Sequence, residues 1–113
     1  MNDPAGIGLQ SNGNIVVSEL GNHRISIFDS MGNFIKIIGV VELQDPYHLF
    51  IDSDDNILVA GSSNHRIVIF SSQTGILLKT IQTEDSVEDL YGITMDRDGR
   101  IVVSGSANKV VIY

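Results

Sequence analysis

At 113 residues, with 42% hydrophobic and 19% charged side chains, the chain is sized for one domain with an ordinary folded core. It has no cysteine, which excludes a disulfide framework and a thiolate metal site, and no apolar run approaches the length of a membrane span. Its net charge of −7 disfavours a nucleic-acid partner, because phosphate contacts need Lys and Arg.

The chain reads as short strands punctuated by turns. A first run, Gly6-Ile7-Gly8-Leu9, is followed by the turn Ser11-Asn12-Gly13 and a second run, Ile15-Val16-Val17-Ser18. Asn-Gly tolerates positive φ, so a two-residue hairpin turn is expected there. After a loop containing Asn22-His23-Arg24 comes a third run, Arg24 to Phe28, then the turn Ser30-Met31-Gly32-Asn33 and a fourth run, Phe34 to Ile38. The same text then recurs. Asn64-His65-Arg66 repeats the tripeptide 42 residues on, flanked by the runs His48 to Ile51, Ile57 to Ala60, Arg66 to Phe70 and Ile76 to Ile81. A third copy has only three runs: Gly92 to Met95, Ile101 to Ser104 and Lys109 to Tyr113, with Asn108-Lys109 in place of the tripeptide. Self-similarity at roughly 40–50 residues, with several short strands in each unit, predicts β-propeller blades. The predicted fold class is all-β, a partial propeller of four-stranded antiparallel blades. Blade 1 covers about 4–39, blade 2 about 46–82 and an incomplete blade 3 about 90–113. No long helix is expected, and 84–90 is read as loop.

The repeated text resembles the NHL repeat family, whose pattern places Asp-x-Asp/Asn-Gly at a hairpin, then a Val/Ile-rich strand, Asp-x-x-Asn-His-Arg-Ile and a Gly-x-Phe turn. The match lies at Asp52-Ser53-Asp54-Asp55-Asn56-Ile57, at both Asn-His-Arg sites and at Met31-Gly32-Asn33-Phe34-Ile35. It departs where the family's Asp before the tripeptide is Glu19, Gly61 and Gly105. The resemblance implies a propeller used mainly as a binding platform. Some such domains bind RNA on a basic face, and a few propellers of similar sequence are enzymes.

End blades without neighbours would expose apolar sheet faces, so self-association is expected, most economically as a homodimer closing one ring. The loops entering each first strand and joining strands two and three should meet on one face. That face would carry Glu19, Glu42, Asp45, Glu84, Asp85, Glu88 and Asp89, with Tyr47, His48 and Tyr91 at the channel mouth. This acidic surface suits a protein or basic peptide partner. The recurring Asn22, His23, Arg24, Asn64, His65, Arg66, Asn108 and Lys109 are read as scaffold, with Asn shaping the turn and His and Arg bonding loop carbonyls or carboxylates.

Asp52-x-Asp54-x-Asn56 and Asp96-x-Asp98 have calcium-loop spacing, but position twelve falls on Ser63 and Ala107 where an EF-hand needs Glu, so turn formation is the expected role. His48 alone is too few ligands for a zinc site. No cofactor, metal site or catalytic residue is therefore expected. The function expected is a non-catalytic protein-binding or assembly module. The alternatives are a lyase- or lactonase-type propeller enzyme with a metal near His48, and an RNA-binding domain disfavoured by charge. The polar start Met1-Asn2-Asp3-Pro4 is unlike a signal peptide, which points to a cytoplasmic location.

Overall fold

The computed structural model of the chain describes residues 4–39, 46–61, 66–83, 90–105 and 109–113. Their eleven strands are β1 (Pro4–Leu9), β2 (Ile15–Glu19), β3 (Arg24–Phe28), β4 (Phe34–Ile38), β5 (Pro46–Ile51), β6 (Ile57–Gly61), β7 (Arg66–Phe70), β8 (Leu77–Gln82), β9 (Leu90–Met95), β10 (Ile101–Gly105) and β11 (Lys109–Ile112). They form three antiparallel sheets in which each strand pairs with its sequence neighbour: β1-β2-β3-β4, β5-β6-β7-β8 and β9-β10-β11. The all-β partial propeller expected from the repeats is the fold observed.

β-branched residues dominate the central strands because these are buried on both sheet faces. β6, Ile57-Leu58-Val59-Ala60-Gly61, is buried at all five positions. Alternate residues of blade 2 therefore pack in opposite directions. Toward blade 1, Leu49, Ile57, Val59, Val68 and Phe70 join Val16, Ile25, Ile27 and Ile38 in one apolar cluster. Toward blade 3, Leu58, Ala60 and Ile67 join Leu90, Ile93, Ile101 and Val103 in a second. The core of this chain is thus two interfaces between blades. Gly8 lets the first interface close, since a Cβ there would lie 2.8 Å from side-chain carbons of Leu49 and Ile51.

The first hairpins differ from the two-residue turn expected. Gln10 and Asn14 close the first loop, with Gly13 N donating to Gln10 O, so three residues lie between the closing pair. The third of them takes positive φ, as three-residue hairpin loops require. Gly13 (φ 89) and Gly99 (φ 80) fill that position in blades 1 and 3, and Asp55 (φ 64) fills it in blade 2. A non-glycine residue is uncommon there, although Asp is among the types that tolerate it.

Candidate functional site

The tripeptide loop is built on the register of β2 and β3. Glu19 stands opposite Arg24, and Val17 opposite Ser26, so Glu19, Arg24 and Ser26 share one sheet face. The Glu19 carboxylate accepts hydrogen bonds from Asn22 Nδ2 at 3.0 Å and Arg24 Nε at 3.1 Å, and a close one from the Ser26 hydroxyl. A 3-10 turn over Leu20–Asn22 and a left-handed His23 (φ 52) fold the loop back over this carboxylate, which is fully buried. A buried carboxylate is costly unless paired and hydrogen-bonded, and this one is both.

Glu19 therefore corrects the acidic docking face. It is turned into the loop by its bonds to Asn22, Arg24 and Ser26 and is not presented to a partner. Its place at a loop entrance does not reveal its direction; strand parity does, because simple hairpin pairing brings residues 19, 24 and 26 onto one face. Asn22 Nδ2 and Arg24 Nε both bond the Glu19 carboxylate within the loop. In blade 2 the same register pairs Arg66 with Gly61 and sets Val68 opposite Val59, so the carboxylate and hydroxyl are both replaced there.

The remaining residues of the predicted mouth are only partly described. Glu42, Asp45, Asn64, His65, Glu84, Asp85, Glu88, Asp89 and Asn108 lie outside the described residues, as do the side chains of Tyr47, Tyr91 and Lys109. His48 is exposed and borders a cavity of about 260 Å3 on blade 3, shared with Gly92, Val102, Ser104 and Val110. Among the described residues, no three His, Asp or Glu side chains gather as a metal site would need.

The calcium-like spacings are occupied by turn bonds. Asp52 Oδ1 accepts from the amides of Asp54 and Asn56, each at 2.9 Å. Asp96 Oδ1 accepts from Asp98 N and Arg100 N in the same pattern, and its Oδ2 accepts from Arg100 Nε at 2.8 Å. The amide of Arg100 is the main cause holding the Asp96 carboxyl below its usual value. At Asp29 the amide of Asn33 has that effect. Asp55 is also lowered, chiefly by the Ser11 hydroxyl, and Ser11 N donates to its Oδ1 at 2.8 Å. This last contact ties the first hairpin of blade 1 to that of blade 2. Nearby, Gln10, Asn12, Asn14, Lys36 and Gln73 line a polar cleft of about 430 Å3. The sequence hinted at it only through Asp55 standing where the other copies have Gly.

Both end faces of the stack carry exposed apolar side chains. On blade 1, Ile7 is 70% exposed and Leu9 66%; on blade 3, Val110 is 70% exposed and Ile112 51%.

These stacked antiparallel sheets, joined strand to strand in sequence order, define a partial β-propeller. Comparison with solved structures agrees. A streptogramin B lyase is similar at 20% identity and TM-score 0.78, over 99% of this chain and 40% of that one. A catalytically inactive virginiamycin B lyase from Staphylococcus aureus, solved with quinupristin, is similar at 19% identity and TM-score 0.81, over 98% and 41%. The WD40 propeller domain of Doa1 is similar at 18% identity and TM-score 0.77, over 94% and 34%. At such identities the likeness is one of fold, and the chain spans about two-fifths of the length of the lyases. No curated protein matches the sequence. Residues 1–28 match the NHL repeat.

Proposed function

We propose that the chain is a non-catalytic binding and assembly module. Its end faces engage other protein surface, and its acidic loop face takes a protein or basic peptide. The observation that supports this reading is the exposure of large apolar residues on both end blades, Ile7 and Leu9 on one and Val110 and Ile112 on the other. Side chains of this kind on a β-sheet are an interaction surface when they lie together in the open. The negative charge favours a partner with Lys or Arg and works against nucleic acid.

Molar mass by light scattering across a dilution series tests the assembly half of this reading. Mass above the monomer that falls on dilution is expected. A monodisperse monomer at every concentration, with no salt-sensitive binding of a Lys/Arg-rich peptide, would remove the proposal.

An enzymatic reading draws on the similarity to the two lyases, which extends to the fold alone. It requires a metal held near His48. Stoichiometric binding of a divalent metal that is lost in His48→Ala would favour it over the binding module.

A further inference from the structure

Each open end face of this stack is the repeat-equivalent of a face that is buried inside it. Blade 1 meets blade 2 through Val16, Ile25 and Ile27, whose exposures are 0%, 0% and 3%. Strand registers align these positions with Val102, Val110 and Ile112 of blade 3. There the same face is open, and Val110 is 70% exposed. Conversely, blade 2 meets blade 1 through Leu49, Ile51 and Val59. Their equivalents on blade 1 are Ile7, Leu9 and Val17, on the face turned away from blade 2, where Ile7 and Leu9 are exposed. The chain therefore carries both halves of a contact that it already makes internally, one half at each end.

We propose that a second copy of this chain stacks head to tail on the first, with blade 3 of each copy against blade 1 of the other. The contact made twice closes a twofold ring. This rests on reading the chain as an assembly module and adds the partner, the orientation and the register. The two halves differ, so a like-to-like contact would leave the apolar pattern of each face unmatched, whereas head-to-tail contact reproduces a packing the sequence has already solved.

The polar groups on the blade 1 end face are compatible with being covered. Ser26 sits where blade 2 has Val68, but its hydroxyl is already bonded to the buried Glu19 carboxylate, which also holds Arg24. At the position of Gly8, blade 2 has Phe50, which packs into the interface with blade 3, and blade 3 has Thr94, so a side chain at this position is compatible with a neighbouring blade.

The absence of cysteine makes the test direct. Ile7→Cys and Thr94→Cys proteins are prepared separately, both at exposed sites, with circular dichroism confirming the fold; Leu9→Cys replaces Ile7→Cys should that variant misfold. Under mild oxidation, the equimolar mixture is expected to give at least tenfold more disulfide-linked dimer than either protein alone. The double variant is expected to give a covalent dimer and no ladder. Cross-linking of either single variant with itself as efficient as the mixture would overturn the orientation. A ladder from the double variant would overturn closure. No cross-link in a sample whose scattering mass exceeds the monomer would overturn this inference while leaving the assembly module standing; a monomer at all concentrations would end both.

Discussion

Glu19 and Arg24 face each other across β2 and β3, with a fully buried carboxylate 3.1 Å from a guanidinium group that remains one-third exposed. The acid gains enough partners inside the chain to stay buried, and the base keeps contact with water. Blade 2 retains the base as Arg66 and dispenses with the acid, setting Gly61 opposite it. The repeats thus share a backbone and differ in how they satisfy it.

Glu19→Ala should destabilise the chain by about 1–3 kcal/mol, because it strips Ser26 of its acceptor and Arg24 of its counter-charge. Adding Ser26→Val, which copies Val68 of blade 2, should recover part of that loss. The coupling between the two changes is expected at about 0.5–3 kcal/mol. Urea unfolding of the wild type, both singles and the double measures it, and simple additivity would mean that the buried hydroxyl and carboxylate act independently.

Acid should weaken the turns. The carboxyls of Asp29, Asp55 and Asp96 lie below the ordinary value of 3.8 because amides and, at Asp55, a hydroxyl bond their charged forms. Groups depressed in this way bind protons more readily in the unfolded chain. Their contribution is complete above about pH 4 and is lost as pH falls through the folded-state values. The urea midpoint should drop below pH 4, with a shallower drop in Asp29→Asn and Asp96→Asn. Asp55→Asn keeps a residue type suited to positive φ, so its effect should report mainly the lost link to Ser11.

Blade spacing should be intolerant of bulk at Gly8. Gly8→Val forces Leu49 and Ile51 aside in the first interface and should cost about 1–3 kcal/mol. Gly75→Ala combines two penalties, a positive φ of 71° and a Cβ only 2.6 Å from Ile38 Cγ2. A loss of at least ~1 kcal/mol is expected. Thermal melting of each variant checks both, and a neutral Gly75→Ala would show that the β7–β8 turn yields easily.

Charge placed on the open face of blade 3 should separate folding from association. Val110→Lys with Ile112→Lys alters residues that are exposed in the single chain, so the melting temperature at high dilution should change little. At concentrations where the parent associates, the variant should have the mass of a monomer. Retained assembly would place the contact elsewhere.

Much of the fold was legible because hydrophobic runs and turn residues recur together. Arg24-Ile25-Ser26-Ile27-Phe28 and Arg66-Ile67-Val68-Ile69-Phe70 become β3 and β7 with the boundaries the pattern suggests. The candidate site was less legible. Charge at a loop entrance does not reveal direction, and Glu19 points inward because its strand register delivers it to Ser26 and Arg24. The Asp55 to Ser11 link joins residues 44 apart through blade stacking, which no local pattern encodes. The hairpin loops gained a residue because positive φ at Gly13, Asp55 and Gly99 serves a three-residue loop as well as a two-residue one.

Among the described residues, only blade 2 contributes to apolar clusters on both of its faces. In a linear stack held by nearest-neighbour contacts, loss of order should begin at the ends and reach the middle last. The amides of β6 and β7 should therefore exchange with deuterium most slowly, those of β1 and β11 fastest. Closure by a second copy would remove this gradient, giving every blade the same lifetime against opening, so assembly would appear as a levelling of local dynamics throughout the chain.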